Sequence, residues 1–313
     1  MPERTHHGMQ VIDDLGNLPA QRQCAVIINC ATRMTTTLAL ASLRAATDMP
    51  ILLIDCASKD GSREHFSGLA SRHGLDFFWL DWPLRKHGHA LDALLAGIPA
   101  EEVLLVDSDV DIRSGEVIAR MQAALAADAQ AYAAGFRHGP QWLGAEHGLP
   151  DAVGHYAERM WIPLVLLRVA AVRQALAAGA SFIQHRDFVE FPRHPRLSRA
   201  LALRFWLPGL RVIAPRRRPH DPRSPAFIEF DTGAHLHAEL VARGHRLIGL
   251  ADSLWQQVDH FHGVSRAGNR RLLRRLPRKL GLRVASNNSP EDGIALEVRK
   301  RLAEVHGIGD PLS

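Results

Sequence analysis

Cysteine is scarce in this chain, with three residues (Cys24, Cys30 and Cys56) among 313. An odd count without C-x-x-C spacing speaks against a disulfide framework or a structural zinc site. The thiols read as reduced, cytosolic ones in or near strands. Aromatic residues make up only 6%, and neither stacking runs nor the usual nucleic-acid modules are present, so no nucleic-acid partner is expected. No apolar run reaches the length of a membrane span. The closest, Trp161 to Val172, is too short and is broken by Pro163 and Arg168. Met1 to Gly16 is polar and acidic with no apolar h-region, which reads against a secretory signal. Internal repeats and long low-complexity tracts are also missing.

What remains is ordinary bulk with unevenly placed charge. A hydrophobic content of 46% with 23% charged residues suits a soluble globular protein, and the length allows one large domain with a sizeable core. The net charge of +5 is modest. Arg216-Arg217-Arg218 and the segment Arg266 to Arg283 carry much of the excess, which points to phosphates or an anionic surface.

Apolar runs alternate with helical patterns over the first half. Cys24 to Asn29 reads as a buried parallel strand, followed by a helix capped by Thr35 and running through Leu38, Leu40, Leu43 and Ala46. Ile51 to Ile54 makes a second strand, closed by Asp55, so the segment is a βαβ unit. Ligands of such sheets bind beyond the carboxyl ends of the strands. A helix over Ser62 to His73, a strand over Asp76 to Leu80, a helix over Ala90 to Ala96 and a strand over Val103 to Val106 follow. Beyond them come a helix from Glu116 to Ala127, a strand near Ala131 to Phe136 and a loop-rich stretch from Gly139 to Gly154. Helices are expected near 164–178 and 196–206, an irregular Pro/Arg loop at Pro215 to Pro225, a helix from Thr232 to Arg243 and a strand from Arg246 to Leu250. Residues 1 to about 21 read as a loosely ordered extension. The domain boundaries so drawn are 22–138, 139–265 and a basic C-terminal segment at 266–313.

Asp107-Ser108-Asp109 stands where the run Val103-Leu104-Leu105-Val106 gives way to a loop. Two carboxylates one residue apart can hold a divalent cation against a diphosphate. Hard oxygen ligands suit Mg²⁺ or Mn²⁺, which need few protein carboxylates because phosphate and water complete the shell. Asp111 adds a third acid. Asp55, at a strand's carboxyl end, can accept hydrogen bonds from a base or ribose, whereas Asp60 and Ser62 serve equally well as the cap of the next helix. In Lys86-His87-Gly88-His89, glycine allows close backbone approach and the helix start favours an anion, although a plain solvent loop fits too. Late in the chain, Glu229 and Asp231 offer a candidate base, or a cap for the next helix. His260 and His262 offer an imidazole for Mn²⁺, or a strand histidine.

The order of these pieces resembles the nucleotide-binding half of GT-A glycosyltransferases, particularly family 2-like members. Cys56-Ala-Ser-Lys-Asp-Gly-Ser62 stands where that family reads close to N/D-G-S-x-D-G-S. Glu229-Phe-Asp231, a helix, a turn at Gly244, a strand and His260-Phe-His262-Gly-Val-Ser265 resemble its acceptor-side acid and terminal metal-binding histidine. The resemblance spans roughly 24–265. It implies a GT-A, Rossmann-like α/β fold with a mostly parallel central sheet flanked by helices. It further implies sugar transfer from a nucleotide-diphosphate sugar to an acceptor hydroxyl, with inversion. Asn29, Thr32, Asp55, Ser58 and Asp60 would then bind the nucleotide sugar, joined by Lys86, Gly88, Asp107 and Ser108. The metal, Mn²⁺ or Mg²⁺, would be held by Asp107, Asp109 and His262, with His260 as the alternative histidine. Asp231 would be the base, with Glu229 as its rival and Asp187 and Glu190 in reserve. Asp92 departs from the family, which often has Asn there.

Other readings stay open. The cationic, leucine-bearing segment 266–283, split by Pro277, reads as a solvated face, a clamp over the diphosphate, or a peripheral contact with anionic lipid at the inner face of the membrane. The acceptor would be a glycan, a lipid-linked group or a small molecule. Trp142, Trp161 and Trp206 could stack on a sugar but serve equally as core. The rival functions are a sugar-nucleotide nucleotidyltransferase, which would need a Gly-rich basic loop after the first strand, and a non-catalytic binder of an anionic polymer.

Overall fold

A computed structural model describes residues 8–142, 154–188, 227–261 and 290–309. In chain order its strands are β1 (Met9–Ile12), β2 (Gln21–Asn29), β3 (Ile51–Cys56), β4 (Phe77–Trp82), β5 (Ala100–Asp107), β6 (Val110–Ile112) and β7 (Ala131–His138). They continue as β8 (Gln141–Trp142), β9 (Gly154–Tyr156), β10 (Arg159–Arg168), β11 (His185–Phe188), β12 (Phe227–Phe230), β13 (Arg246–Gly249) and β14 (Val258–His260). The helices are α1 (Arg33–Ala46), α2 (Ser62–His73), α3 (His87–Gly97), α4 (Glu116–Ala127), α5 (Val169–Ala177), α6 (Ala234–Ala242) and α7 (Pro290–His306).

Eight strands form the central sheet in the order β1-β4-β3-β2-β5-β10-β7-β13, and β10 alone among them runs antiparallel. This is the mostly parallel, helix-flanked α/β class expected for a GT-A, Rossmann-like fold. Alternation along the strands sends Ile27, Leu53, Leu104 and Val106 to one face, beneath α1, α2, α4 and α7. Val26, Leu52 and Leu105 go to the other face, beneath α3, α5 and α6. A smaller sheet, β11-β12-β9-β8, and a two-stranded ribbon of β14 with β6 complete the arrangement.

The chain leaves β2 toward β3 and β4 on one side and returns to β5 on the other. The carboxyl ends of β2 and β5 therefore flank a topological switch point, where loops diverge and leave a crevice. Ile28 is in register with Asp107 there.

Four elements differ from the sequence reading. Residues 1 to about 21 are not merely a loose extension: β1 pairs with β4 at the sheet's edge, and Leu15 and Leu18 are buried. Four residues on an edge, half of them facing solvent, leave little periodicity to read. Residues 164–168, expected as helix, belong to β10. Met160 to Leu167 is apolar almost without break because the strand is covered on both faces between β5 and β7. Its proline, Pro163, falls where the β7 register shifts, a position that does not require its missing N–H. Helix α1 starts ahead of Thr35, with Thr32 at the cap position, and Thr35 is buried within the first turn. Lastly, the end of the 266–313 segment carries α7, which seals Val298 and Leu302 against α1, each side chain contributing about 1.5–3 kcal/mol by burial. The expected helix at 196–206, the loop 215–225 and the basic segment 266–283 lie outside the described residues.

Candidate functional site

Asn29, the last residue of β2, organises the switch point. It is fully buried. Its Nδ2 donates to Asp55 Oδ1 at 2.6 Å, with the hydroxyls of Ser62 and Ser58 at 3.0 and 3.2 Å. Its Oδ1 accepts from the Thr32 amide at 3.2 Å and from the Thr36 hydroxyl at 2.9 Å. Asp55 Oδ2 accepts from the Ser58 amide at 2.9 Å, and Ser58 Oγ accepts from the Ala31 amide at 2.8 Å. Two strained residues sit in the loops so joined, Ala31 at φ 55° and Ala57 at φ 54°, where an L side chain is crowded. Asp60 Oδ1 accepts from the Ser62 amide at 3.2 Å, a local turn ahead of the helix, whose cap position is held by Gly61 without a side-chain cap bond. Thr32 Oγ1 reaches Ser108 Oγ at 3.1 Å and ties the β2 loop to the β5 loop across the crevice.

Beyond β5 the chain turns into the ribbon of β6 and β14, and this brings three candidate ligands together. One carboxylate oxygen each of Asp107 and Asp109 and one imidazole nitrogen of His260 lie within 4.8 Å of one another. His260 Nε2 is 3.2 Å from Asp109 Oδ1. An octahedral cation with ligands near 2.1 Å sets neighbouring ligand atoms about 3 Å apart and opposite ones about 4.2 Å apart, so the cluster has the size of such a site. Two carboxylates and one imidazole are a donor set suited to Mn²⁺ and, with more water, to Mg²⁺. Burial raises the Asp107 pKa, and the neighbouring Asp109 charge adds to the rise against the pull of His87 and His260. His87 Nε2 is 3.6 Å from Asp107 Oδ1, at the start of α3. His262 lies outside the described residues.

Asp111, the third acid of the motif, turns elsewhere. Its carboxylate bonds Arg301 of α7, a residue that the sequence reading did not single out. The signal for α7 was available: Ile294, Val298 and Leu302 recur at i+4, with a Glu297–Arg301 pair on another face.

The loop before α3 has a structural explanation for its glycine. A Cβ on Gly88 would stand 2.7 Å from the Phe182 carbonyl oxygen and 2.8 Å from Ile183 Cα, so the backbone approached here is the protein's own. Asp92 holds the same segment, accepting from the Phe182 amide at 2.8 Å and the Ser181 hydroxyl at 2.6 Å. Lys86 is exposed at the cap position of α3.

Glu229 is buried on β12 and accepts from Gln184 Nε2 at 2.6 Å. Asp231 follows the strand at the turn into α6. Its Oδ1 accepts from the Thr232 amide at 2.8 Å, and its Oδ2 lies 3.4 Å from Arg159 Nε. Arg159 opens β10 opposite His138, several residues beyond the carboxyl end of β5, and Asp231 is thereby tied to that end of the sheet. Asp187 lies in β11, opposite Ile228, and Glu190 is outside the described residues. Of the tryptophans, Trp161 is buried, its ring 5.5 Å from that of His260 and 4.6 Å from that of Trp255. It packs against the His260 imidazole and, being buried, offers no face to a sugar. Trp206 lies outside the described residues, and Trp142 ends β8.

No helix among the described residues is long and apolar enough to cross a membrane. No family model matches the chain, and no curated protein matches it. Among solved structures, similarity is found to the mannosyltransferase PcManGT from Pyrobaculum calidifontis in complex with GDP-Man and Mn²⁺: 14% identity over 77% of this chain and 57% of that one, with a TM-score of 0.44. S. aureus TarS 1-349 in complex with UDP-GlcNAc is similar at 17% identity over 52% and 48%, with a TM-score of 0.36. 4-diphosphocytidyl-2C-methyl-D-erythritol synthase from Anaerococcus prevotii is similar at 13% over 51% and 76%, also with a TM-score of 0.36. The chain thus spans about half the length of the two transferases it resembles.

Proposed function

We propose that this chain is a metal-dependent glycosyltransferase that moves a sugar from a nucleotide-diphosphate sugar to an acceptor hydroxyl. The observation that carries the reading is the meeting of Asp107, Asp109 and His260 beside the β2/β5 switch point. A strand-end carboxylate pair joined by an imidazole would suit a divalent cation that offsets phosphate charge, and the crevice is where such sheets take nucleotides.

Asp107, Asp109 and His260 would hold Mn²⁺ or Mg²⁺, with His262 as a further donor. The chemistry that a bound cation supplies there is neutralisation of charge on the leaving diphosphate. Lys86 and the amides at the start of α3 add positive potential on the same side, where His87 Nε2 also faces Asp107. Thr32 and Ser108 present hydroxyls across the crevice, and the loops of Asp55 and Ser58 form the nucleotide wall. Asn29 shapes that wall from behind, since its amide is taken up within it, and Asp60, bonded to Ser62 through Oδ1, belongs to the same wall. Asp231 is the base that takes the acceptor's proton. The Thr232 amide and Arg159 fix its two oxygens, whereas Glu229 is buried with Gln184 and orients the strand beside it. Attack opposite the leaving diphosphate inverts the anomeric centre.

The nucleotidyltransferase alternative lacks its loop: β2 is followed by Cys30-Ala31-Thr32-Arg33, without glycine. We place the protein in the cytoplasm, with any contact to anionic lipid made through 266–283. A panel of UDP-, GDP-, dTDP- and CMP-sugars, screened by thermal shift with and without Mn²⁺, tests the reading. Metal-dependent stabilisation by at least one donor supports it, and none across the panel overturns it.

A further inference from the structure

The ribbon that delivers His260 contains an electrostatic conflict. In the β6/β14 pairing Val258 faces Ile112, Asp259 faces Asp111, and His260 faces Val110. Two aspartates are therefore directly opposite one another on adjacent antiparallel strands. Like charges so placed repel, and here one of them, Asp111, is buried. Left alone, the pair would drive apart the two strands whose neighbouring residues are Asp109 and His260.

Arg301 resolves the conflict from outside the ribbon. Its Nη1 binds Asp111 Oδ2 and also lies 2.5 Å from Asp259 Oδ2. Arg113 bonds the same oxygen of Asp259, while Asp111 has Arg301 as its cation. Arg301 is itself held in place: its Nε donates to Glu297 Oε1 at 3.0 Å, its guanidinium lies 5.6 Å from the Phe261 ring centroid, and α7 is anchored by Val298 and Leu302. Phe261 follows His260 and donates its amide to the Asp109 carbonyl at 2.9 Å. The C-terminal helix thus touches each part of the device that sets the distance between His260 and Asp109.

We infer that Arg301 is a positioning residue for the metal centre: by neutralising the cross-strand Asp111–Asp259 pair it holds β14 against β6, and so holds His260 at Asp109. The inference rests on the metal reading above and adds the C-terminal helix to that site.

The test uses the full chain and four proteins: wild type, Arg301→Met, Arg301→Met/Asp111→Asn, and Val298→Ala. Methionine keeps a long stem over Phe261 while removing the charge. Mn²⁺ affinity is measured by titration followed by electron paramagnetic resonance, and strand pairing by amide exchange of residues 258–261 in the metal-free protein. Arg301→Met should weaken Mn²⁺ binding at least tenfold and speed exchange across the ribbon. The double variant, with the repulsion removed, should return to within about threefold of wild type on both readouts. Val298→Ala should lower Tm but leave Mn²⁺ affinity within about twofold. Unchanged affinity and exchange in Arg301→Met overturn the inference. So does a double variant as impaired as the single one, because Arg301 would then act through helix docking. Should Arg301→Met fail to fold, recovery or non-recovery in the double variant decides the matter alone. A wild type that binds no Mn²⁺ overturns the metal reading itself, and exchange then judges whether Arg301 clamps the strands.

Discussion

His260 and Asp109 meet because a short ribbon, and not the main sheet, carries the histidine to the acid. Nε2 of His260 lies 3.2 Å from Asp109 Oδ1, and the next residue's amide bonds the Asp109 carbonyl at 2.9 Å. Backbone and side chain are thus joined at one point. With Trp161 edge-on to the imidazole, the ring has little freedom to turn away. Such preorganisation favours cation binding over a mobile histidine.

Replacing either partner should therefore be felt in metal binding before it is felt in folding. His260→Ala and Asp109→Ala each remove a proposed ligand, so each is expected to weaken Mn²⁺ binding by more than the roughly 10–100-fold typical of losing an outer-shell partner. Far-UV circular dichroism should remain that of the wild type. Titration calorimetry with Mn²⁺ alone provides the check.

Asp231→Asn separates the base from the metal. Activity should fall by roughly 10²–10⁴-fold while Mn²⁺ and donor affinity hold, since the group lost acts only on the acceptor's proton. Glu229→Gln, by contrast, should cost stability. Initial rates and donor affinity measured on the same preparations distinguish the two acids.

Asn29→Ala should destabilise the fold by about 2–4 kcal/mol, because Asp55 and Thr36 lose a partner inside the protein. Urea denaturation reads this directly. A loss under about 1 kcal/mol would mean that water replaces the side chain and that Asn29 does not organise the switch point.

Gly88→Ala places a methyl against the backbone of Phe182 and Ile183, which cannot swing aside as a side-chain tip can. A cost of about 1–3 kcal/mol is expected from such overpacking. A thermal melt tests it, with Gly139→Ala as the control, since a Cβ there meets nothing within 4 Å.

His65 makes stability depend on pH. Burial, with Arg33 and Arg72 nearby, pushes its pKa down to about 4, against the partial offset of Asp60. Between that value and the ordinary 6.5 the unfolded chain binds a proton that the folded one refuses. Stability is therefore complete above pH 6.5 and falls as pH drops toward 4, by about 2 kcal/mol after allowance for the ring's partial exposure. His65→Gln should flatten this slope in denaturation curves taken from pH 7 to pH 4.5. A parallel slope in the variant would assign the acid loss to carboxylates instead.

The parts legible from sequence share a physical reason. Strands β2, β3 and β5 are buried on both faces, so their runs are continuous and end abruptly at Asn29, Asp55 and Asp107. A residue at such an end has its direction set by the sheet. β10 is equally apolar, yet periodicity cannot separate an eight-residue apolar run from a helix, and Pro163 obscured it further. His260 and His262 have the same strand parity, and the sequence reading puts His262 first. The register of β14 on β6, a pairing across most of the chain, is what brings His260 to Asp109, and His262 lies outside the described residues. Arg301 was illegible for the same reason: its partners, Asp111 and Asp259, are brought to it only by tertiary pairing.

The central claim is that Asp107, Asp109 and His260 bind a nucleotide-diphosphate sugar through a divalent cation. Its most direct test is calorimetric titration of the donor that scores in the panel, with Mn²⁺, without Mn²⁺, and with Asp109→Ala. Donor binding that needs Mn²⁺ and is lost in Asp109→Ala is the predicted result. Equal affinity with and without the metal, or undiminished binding to Asp109→Ala, would contradict it.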